Sequence, residues 1–249
     1  MLGLNPFVVD GNRQENIRAV WDCWQNGTRL NYDGDYFKLD LMVPLFDAGP
    51  VDHPDIPVHL AAVKPVMSRV AGEVADGLRP HPVCTPGYIR DVMLPAVREG
   101  AAKAGRSLGN FDVCMKPLVA SARTEEDLVP KIRDARARIA FYASTPAYRD
   151  AFDYLGLGAL ADEAKHLSRS QNWEDLPGLI DDAVLHQFAV IGTYDDIAQK
   201  LVDRWADIVT HAEFSIAVEN DDDRDILADI ARTVQAGGED AARQAILGQ

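Results

Sequence analysis

Residues Pro57–Gly77 read PVHLAAVKPVMSRVAGEVADG. The apolar run Val58–Val63 is too short and too sharply bounded for a helix. Pro57 precedes it and Lys64-Pro65 follows, as expected for a buried strand of a parallel sheet. Pro65 stands where a helix tolerates proline best, at the first helical position. Val66, Val70 and Val74 recur every fourth residue and give that helix one apolar face. Asp76-Gly77 ends it, and Leu78-Arg79-Pro80 reads as the next strand. The unit is strand–helix–strand. At its first turn Ala61, Ala62 and Val63 are small or compact, so a ligand can approach the backbone closely. The first N–H groups of the helix lack partners within it and lie at its positive end, which suits a phosphate or carboxylate. Tight packing of helix on strand explains the same residues without any ligand.

Working outward toward the N-terminus, Asn12 with Glu15 three residues on reads as a capping box. It opens a helix whose Ile17, Val20, Trp21 and Trp24 form one buried face. RLNYDGDYFKLD, from Arg29, reads as a hairpin turning at Asp33-Gly34. Residues 41–56 read as a loop. Toward the C-terminus, Thr85 caps a helix that Pro86 begins, Pro95 kinks and Gly105 closes. Thr124 caps another, carrying Leu128, Ile132, Ala135 and Ile139. Thr145-Pro146 restarts the helix, and residues 156–187 read as an irregular helical stretch. Gly192-Thr193 caps a helix bearing Ile197, Leu201, Trp205 and Ile208. Asp221-Asp222-Asp223 reads as the acidic first turn of a terminal helix; a calcium loop is the alternative, without EF-hand spacing. Strands are expected at Leu2–Leu4, 58–63, 77–80, 112–120 and 212–218. Alternating strands and helices imply a parallel sheet with helices outside. No GxGxxG follows a strand, which removes the main support for an open dinucleotide-binding sheet.

Three further stretches bear on fold and family: NRQENIRAVWDCWQNGTRLNYDGDYFKLD, YIRDVMLPAVREGAAKAGRSLGNFDVCMKPLVA and HQFAVIGTYDDIAQKLVDRWADIVTHAEFSIAV. With the opening string, in this order and spacing, they resemble the luciferase-like flavin and deazaflavin oxidoreductases, and most nearly the subgroup using coenzyme F420. The resemblance covers most of residues 1–220. It implies an α/β fold of the (β/α)8 TIM-barrel type, present here as the later strands only. On that basis residues 1–249 are expected to form one barrel domain lacking its first strands, with a helical insertion around 124–187. MLGLNPF resembles the fourth strand of the family. A partial barrel exposes sheet edges, so pairing of the chain with itself as a homodimer is expected.

In such barrels the site lies at the carboxyl ends of the strands. This nominates Ala61, Ala62, Val63, Lys64 and Thr85 for cofactor binding, with His81 and Cys84 nearby and Glu219 and Asn220 after the last strand. The resemblance implies that the 61–64 turn holds the cofactor phosphate on backbone N–H groups; Lys64 stands where many relatives have glycine. His81, between two prolines at a strand exit, is the candidate catalytic side chain, hydrogen-bonding the ring or donating a proton. Holding a loop is its other reading. His59 reads as a satisfied core residue, and Lys116 either lines the mouth or snorkels. The implied chemistry is hydride transfer between coenzyme F420 and a small organic substrate. The alternatives are an FMN-dependent monooxygenase and a catalytically silent barrel fragment serving assembly.

Composition sets the remaining bounds. A length of 249 residues with 47% apolar content can bury a large core. The formal charge of −14 argues against nucleic acid and anionic membrane surfaces as partners. Without a long apolar run or a leader pattern the chain reads as cytoplasmic. Cys23, Cys84 and Cys114 have neither disulfide nor zinc spacing and read as packing residues. His53, His59 and His81 lack the His-x-His pair of metal-dependent barrel hydrolases, so no metal is expected.

Overall fold

A computed structural model of the chain describes residues 6–34 and 37–248, with side chains from residue 15 onward. The expected strand Leu2–Leu4 lies outside the described residues. Strand β3 (His59–Ala62), helix α2 (Pro65–Val74) and strand β4 (Gly77–Pro80) form the anticipated unit, β3 and β4 being parallel with Ala61 opposite Arg79 and Ala62 opposite Pro80. Asp76 fastens it: its carboxylate accepts the Val58 N–H at 2.9 Å and the Arg18 guanidinium at 2.7 Å, while its carbonyl accepts Asp112 N–H. Strands β5 (Asp112–Met115) and β8 (His211–Ala212) continue the parallel sheet in the order β3-β4-β5-β8.

Helix α4 (Leu94–Lys103) packs across α2. Their backbones meet through two glycines. A Cβ on Gly72 would collide with the Val97 carbonyl, and one on Gly100 with that of Arg69. Leu78, Val97, Val113 and Ile89 are fully buried in the core around this crossing. The short helix α3 (Pro86–Tyr88) precedes α4, and residues Ile89–Met93 between them widen into a π turn. Pro95, lacking an N–H and crowding the carbonyl four residues back, accounts for that widening where a kink is expected.

The expected strand 112–120 is two strands. Lys116-Pro117 interrupts it, and β6 (Leu118–Ala122) pairs in parallel with β7 (Ala189–Thr193) instead of the main sheet. Strand β7 includes Gly192 and Thr193, so these are not a helix cap; the residue before α9 (Ile197–Trp205) is Asp196. Around this pair lie α5 (Glu125–Ala143), α6 (Arg149–Tyr154), α7 (Gly158–Arg169) and α8 (Asp182–Phe188), the last two within the irregular stretch. Thr124 caps α5 through its hydroxyl, as expected. The expected strand 212–218 pairs only over residues 211–212. Helices α10 (Asp221–Ala236) and α11 (Asp240–Leu247) follow, with Asn220 as side-chain cap of α10.

The N-terminal expectations need correction. Helix α1 (Pro6–Asn26) runs through Asn12, so residues 12–15 are no capping box. Its expected buried face is only half-buried at Val20, Trp21 and Trp24, and Ile17 is 39% exposed. The hairpin exists as β1 (Tyr32–Asp33) and β2 (Lys38–Leu39), but Asp33 is in the strand opposite Lys38 rather than in the turn. Among the described residues, no helix is long and apolar enough to cross a membrane.

Candidate functional site

A cleft of about 410 Å³ opens where β3 and β4 end. Ala61, Ala62, Val63 and Lys64 line it together with Arg79, His81 and Tyr148. Four of the five residues expected to bind a cofactor are thus brought together with the expected catalytic histidine. Alternation along β3 leaves Ala61 exposed and Ala62 buried, so the cleft floor is backbone and methyl groups. Lys64 is the extended residue preceding α2, and its carbonyl accepts the Ser68 N–H at 3.1 Å. Pro65 has no N–H, which leaves those of Val66 and Met67 at the helix's positive end beside the cleft. The Lys64 ammonium stands 3.4 Å from Asp150 at its rim.

His81 is held on several sides. Its N–H donates to the Ala62 carbonyl at 3.1 Å, carrying the β3–β4 pairing past the strand end. Its ring stacks on Tyr148 (4.1 Å between centroids, 23° between planes) and meets Tyr142 edge-on at 4.8 Å. The Val83 N–H donates to its Nδ1 at 3.3 Å, which puts the ring proton on Nε2. Burial lowers its pKa below the ordinary histidine value. At neutral pH the ring is therefore a neutral hydrogen-bond donor rather than a carrier of a spare proton.

Thr85 does not join the cleft: it is buried, and its hydroxyl accepts the Tyr88 N–H as cap of α3. Cys84 is fully buried and its thiol is pushed up to about 12 by desolvation, so it is inert at neutral pH. Glu219 and Asn220 are occupied at the α10 start, where Glu219 N–H donates to Asp223 and Asn220 Oδ1 accepts Asp223 N–H. Arg123 pairs with Asp222 and Asp223, which answers the acidic turn without a cation. Among the described residues, no group of three or more His, Cys, Asp or Glu side chains could hold a metal ion. His59 corrects its expectation: Nε2 is buried without a hydrogen-bond partner, 3.7 Å from Asp112. Its ring lies where a Cβ on Gly77 would be.

Tyr148, which lines the cleft, and Tyr142, which meets the His81 ring, escape a reading by local pattern because they come from the α5–α6 region. Arg79 carried a usable signal, a charge between two residues of a buried strand. A second cleft of about 240 Å³ adjoins the first through Pro82, lined by Lys116, Arg138, Tyr142 and Glu213. Elsewhere Trp21 and Trp24 line a cleft of about 230 Å³ against residues 48–56.

The profile of the luciferase-like monooxygenase family matches residues 12–212. An uncharacterized protein of Mycobacterium tuberculosis is 39% identical over 193 residues, which are 78% of this chain and 57% of that protein. An F420-dependent glucose-6-phosphate dehydrogenase of Nakamurella multipartita is 28% identical over 160 residues, 64% of this chain and 45% of the relative. The chain thus spans about half the length of these curated relatives. Among solved structures, the coenzyme F420-dependent tetrahydromethanopterin reductase from Methanopyrus kandleri superposes with a TM-score of 0.64 at 22% identity, over 91% of this chain and 61% of that one. The EDTA monooxygenase from Chelativorans does so with a TM-score of 0.56 at 16% identity, over 100% of this chain and 65% of that one. At these identities the likeness concerns the fold, a TIM-type barrel of which the described strands build part. With the profile matching most of its length, the chain belongs to the luciferase-like monooxygenase family.

Proposed function

We propose that the chain carries the cofactor site of an oxidoreductase that uses coenzyme F420 and passes hydride to or from a small organic substrate. The observation that carries this reading is the open corner at residues 61–64. Small residues leave backbone accessible beside the first turn of a ten-residue helix, an arrangement suited to an anionic cofactor tail. The dehydrogenase among its relatives, F420-dependent by name, supports that cofactor over FMN.

The residues present fit such a group. Backbone N–H groups of Val66 and Met67, with Lys64, would meet its phosphate, and the stacked His81 and Tyr148 rings would border its planar part. When bound, the deazaflavin supplies hydride transfer without activating oxygen. The chain's own part is to orient: neutral His81 donates from Nε2, Tyr148 fixes the imidazole plane, and the apolar floor excludes water from beneath a ring.

Titrating the purified chain with F420 and, separately, with FMN while following fluorescence tests this reading. Saturable binding of F420, abolished by Ala61→Trp in the cleft floor, is expected. Binding of FMN alone would point to the FMN-dependent alternative. No response to either would leave the silent barrel as the better account.

A further inference from the structure

Three charged side chains meet at the carboxyl ends of β4, β5 and β8. Arg79 lies between buried Leu78 and Pro80 and by alternation projects from the opposite face of the sheet. Its guanidinium contacts one oxygen of Glu213, and the Lys116 ammonium donates to the other at 2.6 Å. Arg79 lines the cleft of Ala61–Lys64, while Lys116 and Glu213 line the adjoining one. The bridge therefore spans the boundary between the two clefts.

Stability explains this cluster poorly. All three side chains are about half-exposed, and exposed ion pairs contribute little. Parallel strands ordinarily carry apolar residues. The trio also holds two cations against one carboxylate in a chain whose formal charge is −14, and Arg138 lines the second cleft beside Lys116 as a further cation. Hydrogen bonds from Lys116 and then Arg79 keep the Glu213 carboxyl below its ordinary range, so it remains an anion. The Glu213 backbone is fixed, its N–H donating to Met115 O at 2.7 Å, while its side chain is half-exposed and held only by these two cations.

We propose that Arg79 and Lys116 form a binding site for a carboxylate or phosphate group of the substrate, and that Glu213 is its built-in occupant, displaced when the substrate binds. Arginine offers two parallel N–H groups to an oxyanion and lysine a point charge. Glu213 thereby sets the threshold: only an oxyanion that competes with a tethered carboxylate enters. Assigning that oxyanion to the substrate rests on the oxidoreductase reading above; the binding itself does not.

The test uses wild type, Glu213→Gln, Arg79→Gln/Lys116→Gln and the triple variant, without cofactor and at low ionic strength. Calorimetric titration with inorganic phosphate and with acetate separates the two oxyanion classes. Glu213→Gln is expected to bind one of them at least tenfold more tightly than wild type, about 1.4 kcal/mol. The double and triple variants are expected to lose that binding. Equal affinity in Glu213→Gln and wild type overturns the proposal. So does binding that survives in the double variant, which would place the anion elsewhere, such as the α2 corner. Circular dichroism verifies folding, and Glu213→Ala repeats the measurement should the glutamine variant fail to fold. F420 titration of the same proteins separates the two claims. Intact F420 binding without the phosphate gain defeats only the oxyanion site. The phosphate gain without F420 binding defeats only the cofactor assignment.

Discussion

The imidazole of His81 lies against the phenol ring of Tyr148, 4.1 Å between centroids and 23° from parallel. That pair joins the exit of β4 to the connection between α5 and α6, two regions distant in sequence. Ring stacking of this kind contributes about 0.5–1.5 kcal/mol beyond area burial. Tyr148→Ala is therefore expected to lower stability in urea denaturation by about 1 kcal/mol or somewhat more, whereas Tyr148→Phe retains nearly all of it. Equal losses in the two variants would mean that the stack is incidental.

Burial of His81 also gives stability a pH dependence. Its folded pKa is depressed below the ordinary value, so between the two values the unfolded chain binds more protons. The contribution is complete above about pH 6.5, the unfolded histidine value, and is lost as pH falls through the folded pKa. Thermal midpoints measured from pH 7.5 to 5 are expected to fall more steeply for wild type than for His81→Gln. Parallel profiles would show that His81 takes no part.

Much of the frame was legible because it rests on local rules. Pro65, Thr85-Pro86 and Thr124 sit at helix starts where proline geometry and hydroxyl caps act over a few residues. The 61–64 corner was legible for the same reason. What escaped depends on partners far along the chain. Lys116-Pro117 divides one extended run because its two halves pair with different strands. Val190 reads as easily before a helix as within a strand, and only its pairing with Val119 decides. Asn12 has cap chemistry, yet the helix passes through it from Pro6. Thr85 was assigned to the cofactor by position; its hydroxyl is committed to the Tyr88 N–H instead.

The crossing of α2 and α4 predicts a third outcome. At Gly72 and Gly100 the obstacle to a side chain is backbone of the opposite helix, which cannot swing aside as a flexible side chain would. Overpacking of this kind costs about 1–3 kcal/mol. Gly72→Ala and Gly100→Ala should each lower stability by that amount despite alanine's better helix propensity. A neutral or stabilised Gly72→Ala protein in urea denaturation would show that the helices part without cost.

Asp112 supports a fourth prediction, at the opposite end of the sheet from the cleft. Its carboxylate accepts the Thr210 hydroxyl at 3.1 Å and an Arg243 N–H at 3.0 Å, with the unpartnered His59 Nε2 3.7 Å away. Arg243 also donates to the Phe111 carbonyl at 2.8 Å, so this cluster docks α11 beneath β5. Hydrogen bonds to charged groups contribute about 1.5–3 kcal/mol. Asp112→Asn keeps the shape and removes the charge, and should loosen α11 first, because that helix is tied down by Arg243 at this cluster and by Arg98, which donates to the Ala245 and Ile246 carbonyls. Amide hydrogen exchange over 240–248 is expected to quicken in Asp112→Asn and further in Arg243→Ala, which also loses the Phe111 carbonyl, with the double variant no faster than Arg243→Ala because Asp112 reaches α11 through Arg243. Additive acceleration would mean that Asp112 and Arg243 hold the helix independently, and the carboxylate would then lose its place as the anchor.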